Sequence, residues 1–244
     1  MLLLIRVLII LIYSLLVCLF GIVYCLFSPR KPSHVALFGH LFARLAPWLG
    51  IKVVTRLPAP VSGKQPPSLY IANHQNNFDM VTTAKAVQTG TVTVGKKSLL
   101  WVPFFGPLYW ITGNILIERE KRNKAHSTIM QVVEQIKLKQ LSVWMFPEGT
   151  RSYGRGLLPF KTGAFHVAIK ANIPIIPICV STTHNKIKLN RWNNGYVIVE
   201  MLAPIPVEQY AQSTVRDLAD YCQQLMQNKI AQLDAEVTQL EQQR

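Results

Sequence analysis

A histidine and an aspartate five positions apart, His74 and Asp79, are the residues best suited to acid–base chemistry in this sequence. They lie in the run Asn73-His74-Gln75-Asn76-Asn77-Phe78-Asp79, directly after the short apolar segment 69–72, which reads as a buried strand. If Asp79 accepts the Nδ1 proton of His74, the Nε2 atom is left as an oriented general base. Alternatively, Asp79 caps the helix predicted next to it and His74 is an ordinary loop histidine.

Two further polar clusters come at the ends of predicted apolar strands. Arg119 ends one of them, and the segment Glu148-Gly149-Thr150-Arg151 follows another. The planar fork of an arginine suits bidentate contact with phosphate, so both arginines are candidates for binding a phosphorylated substrate. Arg119 could instead pair with Glu118 or Glu120 at the surface. Glu148 could orient Arg151 and the loop amides, or act as a second carboxylate.

Several enzyme classes lack their motifs in this chain. The sequence has no Gly-x-Ser-x-Gly elbow, no phosphate-binding P-loop and no dinucleotide fingerprint. No histidine or cysteine cluster has the spacing of metal ligands. A base without an evident enzyme nucleophile indicates that the nucleophile belongs to the substrate, for example an alcohol that loses its proton to His74.

The elements that must position these residues alternate between strands and helices. The predicted strands are 69–72, 91–94, 113–119, 142–146, 175–180 and 196–201, and the predicted helices are 80–87, 124–139, 162–171 and 215–240. This alternation predicts an α/β fold whose mainly parallel sheet carries helices on both faces. The carboxyl ends of parallel strands meet at one edge, where ligands bind, so the three polar clusters can converge there.

Two segments contain prolines that complicate these predictions. Pro177 lies inside the strand 175–180 and predicts an edge position or a bulge. Residues 98–112 contain two Trp, one Tyr and two Phe, but Pro103 and Pro107 argue against one continuous helix. That segment is either a buried helix and turn or a surface that meets lipid acyl chains.

The N-terminal segment predicts membrane association. Residues 7–27 carry no charge and would form about 30 Å of helix, the thickness of a bilayer's hydrocarbon core. The run is too long for the core of a signal peptide, and no cleavage site follows it. Residues 34–49 predict a second helix at the membrane interface, although the two helices could instead form a hairpin in one leaflet.

Basic residues follow the apolar run, so the rest of the chain is placed in the cytoplasm if the first helix spans the membrane. The predicted organisation is membrane-anchoring helices over residues 1–54, a Pro-rich linker over 55–68, and an α/β domain with a C-terminal helix over 69–244. A chain of 244 residues is long enough for one such domain and an appendage.

Composition supports an anionic membrane as a partner. The net charge is +14, half of the residues are hydrophobic, and the mean hydropathy is +0.21. A basic chain suits nucleic acid, an anionic membrane or a phosphorylated substrate, and the apolar excess favours the membrane over nucleic acid. The four cysteines form no Cys-x-x-Cys pair, so a reduced, cytosolic environment is the simplest interpretation.

Four segments in order resemble the conserved motifs of the glycerolipid acyltransferases: 73–79, Gly113-Asn114-Ile115-Leu116-Ile117-Glu118-Arg119, Phe146-Pro147-Glu148-Gly149-Thr150-Arg151-Ser152, and Ile175-Ile176-Pro177-Ile178. The whole chain, including Gly95-Lys96-Lys97-Ser98-Leu99-Leu100-Trp101, is similar to the bacterial members that acylate 1-acyl-sn-glycerol-3-phosphate. The resemblance implies transfer of a fatty acyl group from acyl-CoA or acyl-carrier protein to the sn-2 hydroxyl of that lysophosphatidic acid, giving phosphatidic acid.

The resemblance also implies a role for each site residue. His74 would be the general base and Asp79 its orienting partner. The residues implied in binding the acceptor phosphate are Arg119, Glu148, Gly149, Thr150 and Arg151, with Lys96 as a further contact. The segment 175–178 would serve the acyl donor or the fold, and no metal or redox cofactor is implied. The expected location is the inner membrane, with the catalytic domain facing the cytoplasm and no nucleic acid as a partner.

Other functions use the same residues. The acceptor could be glycerol-3-phosphate, another lysophospholipid or an amino-lipid. His74 could instead activate water, which would make the protein an acyl thioester hydrolase. A third alternative is a basic membrane-binding module with a decayed site, against which the intact His74 and Asp79 argue.

Overall fold

The computed structural model describes residues 1–58, 66–118, 125–210 and 213–243, which form one seven-stranded sheet and its helices. The strands are β1 (Lys52–Arg56), β2 (Leu69–Ala72), β3 (Thr91–Lys96), β4 (Ile115–Ile117), β5 (Ser142–Met145), β6 (Ile175–Val180) and β7 (Tyr196–Met201). The α-helices are α1 (Leu2–Leu26), α2 (Ser33–Ala43), α3 (Asp79–Thr82), α4 (Phe105–Ile111), α5 (Ala125–Lys139), α6 (Gly163–Ala171) and α7 (Val215–Gln242).

The sheet is mainly parallel, with the order β1-β7-β6-β2-β5-β3-β4. The five strands from β6 to β4 run parallel to one another, whereas β7 is antiparallel to β6 and β1 is parallel to β7. Every residue of β2 and β6 is buried, as expected for strands that are covered by other elements on both faces. The predicted α/β fold class is confirmed.

Polar segments leave the carboxyl ends of neighbouring parallel strands, as the alternation of elements predicts. The strand β2 pairs with β5 through Leu69 and Val143, and β5 pairs with β3 through Ser142 and Thr91. The residues after β2, β5 and β3 therefore emerge at one edge of the sheet. This is the edge on which the candidate site lies.

The predicted domain boundary needs a correction at its N-terminal side. Strand β1 pairs in register with β7, from Lys52 opposite Tyr196 to Arg56 opposite Glu200. The sheet therefore begins at Lys52 rather than at Leu69, and the boundary between 54 and 55 falls inside a strand. Residues 59–65 of the predicted linker lie outside the described residues.

The edge position predicted for Pro177 is wrong, because β6 is an interior strand between β7 and β2. Its alternative, a bulge, agrees with the register: Ile178 lies opposite Met201 and Ile175 opposite Ile205, so two residues of β6 face three on the other segment. The antiparallel pairing of β6 with β7 extends from Val180 to Ile178 and stops before the proline. The missing N–H of Pro177 therefore falls beyond the end of that run of pairs, while its carbonyl accepts from Leu202 N at 2.9 Å.

Several helices differ in length from their predictions. The segment after Asp79 forms only the short α3 and a 3₁₀ turn over Ala84–Ala86. The second N-terminal helix ends at Ala43, and a 3₁₀ turn over Pro47–Leu49 follows it. Within residues 98–112, α4 buries Leu108 and Ile111, whereas Trp101 is 82% exposed. The segment thus combines the predicted buried helix with an exposed aromatic side chain of the kind expected for a lipid-facing surface.

Helix α1 rests along the rest of the protein over most of its length. Near its start, the guanidinium of Arg6 is buried and donates to the backbone carbonyls of Trp48, Leu189, Arg191 and Trp192. The hydroxyl of Tyr13 donates to the carbonyl of Leu41 at 2.9 Å.

Near the C-terminal end of α1, Gly21 packs closely against Leu108 and Phe38. A Cβ added to Gly21 would lie 2.6 and 2.8 Å from atoms of these two side chains. Cys25 Sγ lies 3.2 Å from His34 Nδ1 on α2. Both ends of α1 thus contact the same body.

Helix α7 begins at a capping box. Thr214 Oγ1 accepts from Asp217 N at 3.1 Å, while the Asp217 carboxylate accepts from Thr214 N at 2.8 Å. Further along, Glu236 pairs with Arg56 of β1, and Lys229 lies 3.0 Å from Glu200 of β7. These contacts hold α7 against the strands that run opposite to the rest of the sheet.

Candidate active site

The structure brings His74 and Asp79 together at the carboxyl end of β2. His74 Nδ1 lies 2.6 Å from Asp79 Oδ2, the contact that the sequence analysis expects. The same carboxylate oxygen accepts the backbone N–H of Gln75 at 2.7 Å and of Asn76 at 3.2 Å. The loop therefore folds around the Asp79 carboxylate, which fixes the Nδ1 side of the imidazole.

The two side chains differ in exposure in the way that a base and its supporting carboxylate require. The side chain of Asp79 is 4% exposed, whereas that of His74 is 20% exposed and lines a cavity. Asp79 lies in the first turn of α3, yet its side chain binds the histidine and the loop amides rather than only capping the helix.

The imidazole of His74 stacks on the ring of Phe146, which ends the segment delivered by β5. The ring centroids are 4.0 Å apart and the planes differ by 16°. The contact restrains rotation of the imidazole about its side-chain bonds. Two segments thus position the candidate base: its own loop after β2, and Phe146 at the end of the adjacent strand β5.

Glu148 lies beneath these loops and is 2% exposed. Its Oε1 accepts the backbone N–H of His74 at 2.6 Å, and its Oε2 accepts the N–H of Leu158 at 2.9 Å. Burial raises the pKa of the Glu148 carboxyl, and the two N–H donors oppose that rise. Both oxygens are engaged by backbone, so this arrangement holds the loops and differs from the substrate contact expected for Glu148.

The loop after β5 also pairs with the loop after β2 through its backbone. Ser152 N donates to the carbonyl of His74 at 2.8 Å, and Tyr153 N donates to the carbonyl of Gln75 at 2.9 Å. These two bonds extend the contact between the loops beyond the ends of their strands. The backbone of the candidate base is therefore held at its N–H by Glu148 and at its carbonyl by Ser152.

A cavity of about 470 Å³ opens beside His74. Its apolar lining comes from α2, α4 and the turn after β3, and includes Val35, Phe38, Phe42, Leu99, Phe105 and Leu108. Its polar lining includes His74, Asp79, Lys96, Gly149, Thr150 and Arg151, which are six of the eight predicted site residues. The cavity thus places the His74–Asp79 pair between an apolar compartment and two cations.

Of the two remaining predicted residues, Glu148 lies below the cavity floor and Arg119 lies outside the described residues. Arg151 is partly buried, its Nη1 lies 3.4 Å from the Tyr153 hydroxyl, and its buried Nε has no hydrogen-bond partner. The N–H of Gly149 donates to the carbonyl of Phe146 at 3.0 Å. That bond occupies one of the loop amides in this part of the site.

Comparisons with known proteins agree with this geometry. A family model described as Acyltransferase matches residues 51–181. The 1-acyl-sn-glycerol-3-phosphate acyltransferase of Salmonella typhimurium is 64% identical over 214 residues, which are 88% of this chain and 87% of that protein. The enzyme of the same name from Escherichia coli is 63% identical over the same shares of both chains.

The chain belongs to the acyltransferase family. Its fold is shared with the crystal structure of the 1-acyl-sn-glycerophosphate acyltransferase PlsC from Thermotoga maritima, with a TM-score of 0.76 at 22% identity. That comparison covers 96% of this chain and 95% of the other. This acyltransferase therefore has the same architecture as a distant relative over nearly its whole length.

Sequence reasoning did not place three features of the acyltransferase site. The sequence predicts Phe146 as the last residue of a strand, and its stacking on His74 joins residues 72 positions apart. Lys161 lies beside the left-handed Gly149 (φ +70°), where an added Cβ would come within 2.8 Å of its Nζ. The carboxamides of Asn73 and Gln75 point away from the cavity and bind the end of β6. Only the basic character of the segment containing Lys161 was visible in the sequence.

The described residues contain neither a metal-ligand cluster nor an exposed thiol. In the part of the chain that the structure describes, no three His, Cys, Asp or Glu side chains are grouped as metal ligands would be. The four cysteines are free and buried. Burial raises the pKa of Cys179 and of Cys222 to about 12, so both thiols stay protonated at neutral pH.

Proposed function

We propose that this acyltransferase moves a fatty acyl group from a thioester of CoA or acyl-carrier protein to the sn-2 hydroxyl of 1-acyl-sn-glycerol-3-phosphate. The product would be phosphatidic acid. The observation that carries the proposal is the His74–Asp79 pair at the junction between an apolar cavity and the cations Lys96 and Arg151. The names of the relatives from Salmonella typhimurium and Escherichia coli support the same acceptor.

In the proposed reaction, Nε2 of His74 takes the proton of the acceptor hydroxyl as its oxygen attacks the thioester carbonyl carbon. Asp79 keeps the Nδ1 proton on the other nitrogen and stabilises the imidazolium that forms. The tetrahedral intermediate collapses by breaking its carbon–sulfur bond, and the imidazolium returns its proton to the leaving thiolate. Help from a positioned general base is worth about 10²–10⁴-fold in rate.

The cations serve the acceptor phosphate in this proposal. Arg151 and Lys96 line the same cavity as His74, and the Nε atom of Arg151 is buried without a partner. A buried guanidinium N–H gains from a charged acceptor, and phosphate matches its planar geometry. We assign the phosphate to Arg151 first, with Lys96 as a second contact. Arg119 stays a predicted contact, since it lies outside the described residues.

The apolar compartment serves an acyl chain. Phe42 and Phe105 pack edge to face, with ring centroids 6.3 Å apart, and line the cavity together with Phe38 and Leu108. An acyl chain placed there would bring its carbonyl carbon towards the mouth, where His74 lies. Burial of the acyl chain in this compartment would contribute binding free energy. A water molecule that competes as the nucleophile gains no such contribution.

We further infer that α1 lies in one leaflet and does not span the membrane. The helix is long and apolar enough to cross a bilayer, with a mean hydropathy of 2.9. However, Arg6 near its first turn and Gly21 near its last turn both contact the same body. A helix of about 37 Å that crosses a bilayer cannot keep both ends against a domain on one side of it.

The exposed face of α1 would enter the acyl region in that position. Its exposed side chains are almost all Leu, Ile, Val or Phe, and include Leu4, Leu8, Leu11, Leu15, Leu16 and Leu19. This arrangement is the hairpin alternative of the sequence analysis, and the rest of the enzyme would face the cytoplasm at the inner membrane. A cysteine introduced at Leu4 should be protected from membrane-impermeant thiol reagents added to either side, whereas a spanning helix would expose it from outside.

The experiment that tests the reaction uses the purified full chain in detergent with labelled acyl-CoA, with and without 1-acylglycerol-3-phosphate. The proposal predicts labelled phosphatidic acid whose formation requires the acceptor. Release of thiol at the same rate without acceptor would show a thioester hydrolase instead. Replacing the acceptor by an analogue without phosphate should reduce transfer by at least about 10-fold, the loss expected for one charge-assisted hydrogen bond.

A further inference from the structure

The segment Val180–Thr183, which begins at the last residue of β6, is bound by side chains from the catalytic loop. Asn73 receives the Val180 N–H at 2.9 Å and donates to the Val180 carbonyl at 3.0 Å. Gln75 receives the Thr183 N–H at 2.7 Å and donates to the Ser181 carbonyl at 2.9 Å. All four backbone atoms lie in one short segment, so its position determines where Asn73 and Gln75 are held.

The same segment is bound on its other side by α7. The carboxylate of Asp234 accepts the backbone N–H of Thr182 at 2.6 Å with one oxygen and the Thr182 hydroxyl at 2.6 Å with the other. Thr182 lies between Ser181 and Thr183, which bind Gln75. One acidic side chain of the C-terminal helix thus fixes the central residue of the segment.

The contacts continue from this segment to the reacting groups. The N–H of Gln75 donates to Asp79 Oδ2, the same oxygen that binds His74 Nδ1. Asn76, whose N–H also binds that oxygen, donates through its carboxamide to the Thr183 hydroxyl at 2.8 Å. The backbone that holds the Asp79 carboxylate is therefore tied twice to the segment that Asp234 holds.

We propose that Asp234 is a positioning residue for the His74–Asp79 pair, acting through Thr182, the segment Val180–Thr183 and Gln75. The inference rests on the proposed role of that pair in acyl transfer. A displacement of about 1 Å in a catalytic group can cost about 10²-fold in rate, so even a partial relaxation of the segment lowers the turnover number. Neither Asp234 nor Thr182 lines the cavity beside His74, so the affinities of the substrates should depend little on this contact.

Helix formation does not explain an aspartate at this position. Asp234 lies well inside α7, where aspartate is a poorer helix former than alanine by about 0.5–0.7 kcal/mol. Leu233 and Val237 on the same helix are fully buried and attach this stretch to the domain without it. An alanine at 234 would therefore keep α7 helical and docked while it removes both bonds to Thr182.

The test compares kcat and both KM values of four variants of the full-length enzyme. Asp234→Ala should lower kcat about 10-fold with both KM values within about 2-fold, and Thr182→Val should lower kcat by a smaller factor. Asp234→Asn keeps one carboxamide oxygen for the Thr182 N–H and should retain most of the wild-type kcat. Asp220→Ala is the matched control, because Asp220 lies on the exposed side of α7, paired only with Arg216 among the described contacts.

A second readout measures the connection itself. If Asp234 acts through Gln75, the effects of Asp234→Ala and Gln75→Leu on kcat should not multiply in the double variant. Effects that multiply fully would overturn the proposal, as would a wild-type kcat in Asp234→Ala or an equal loss in Asp220→Ala. If Asp234→Ala does not fold, a wild-type kcat in Thr182→Val overturns it. A wild-type enzyme without acceptor-dependent transfer would refute the proposed function itself, and this inference with it.

Discussion

Replacing Glu148 by alanine tests whether this carboxylate holds the loops or binds substrate. The substitution removes the acceptors of two backbone N–H groups, those of His74 and Leu158, in a place that is 2% exposed. Each buried donor left without a partner costs about 1–3 kcal/mol, so the expected loss for the two is about 2–6 kcal/mol in the free energy of unfolding. A domain is stable by about 5–15 kcal/mol, so the variant should still fold at low temperature.

The same change should reduce catalysis, because the backbone of His74 loses one of the bonds that place it. We expect kcat to fall by about 10²-fold, with the KM of each substrate within about 3-fold. The assays are denaturant unfolding followed by tryptophan fluorescence, and steady-state kinetics of acyl transfer. A higher acceptor KM with an unchanged free energy of unfolding would contradict the reasoning and return Glu148 to the phosphate site.

Glu148→Gln adds a pH dependence to this prediction. The amide keeps one acceptor without burying a charge, so it should recover part of the stability lost in the alanine variant. Burial raises the pKa of Glu148, so the native protein binds more protons than the unfolded chain above the ordinary carboxylate range. The wild type's free energy of unfolding should therefore fall, relative to Glu148→Gln, as the pH rises through the raised pKa. A wild-type free energy of unfolding that rises relative to that of Glu148→Gln over this pH range would refute the assignment.

Three further predictions concern other parts of the molecule. Arg151→Ala should raise the KM of the acceptor at least about 10-fold and that of the donor by less than about 2-fold. Replacement of the exposed Lys170 by alanine is the control, and equal effects of Arg151→Ala on the two KM values would contradict the phosphate assignment. Arg6→Met removes the donors to four backbone carbonyls and should cost about 2–4 kcal/mol of unfolding free energy; an unchanged melting temperature would contradict a structural role. Cys179 and Cys222 should resist iodoacetamide at pH 8 in the folded enzyme and react after denaturation; rapid labelling of the native protein would show that they are accessible.

The convergence of the site could be predicted because it depends on topology alone. Apolar runs ending in polar segments identify strands and their carboxyl ends, and parallel pairing places those ends at one edge. That rule brings His74 and Asp79 together with Arg151, as the structure has them. Spacing also predicts the contact between the histidine and the aspartate, since a loop that enters a helix can bend one side chain back to the other.

Other features could not be predicted because they depend on side-chain directions between distant segments. The stacking of Phe146 on His74, the bond from the His74 N–H to Glu148 and the contact of Asp234 with Thr182 join residues 72, 74 and 52 positions apart. No periodicity within a single element determines such contacts. The edge position that Pro177 suggests also failed, because a shift of register beside the proline accommodates it in an interior strand.

Strand β1 shows a different reason for failure. Its sequence, Lys-Val-Val-Thr-Arg, is partly exposed and lies close to a run of prolines, so it resembles a linker. Only the partner strand β7 makes it part of the sheet. An edge strand of this kind has little hydrophobic signature of its own, because one of its sides faces solvent.

The most direct test of the central claim is acyl transfer from a labelled thioester to 1-acylglycerol-3-phosphate by the wild type and by His74→Ala. The variant should keep its circular dichroism spectrum and lose at least about 10²-fold in kcat, the lower limit for a general base. A His74→Ala enzyme that transfers acyl groups at the wild-type rate would contradict the account, because no other group has been placed to take the acceptor's proton.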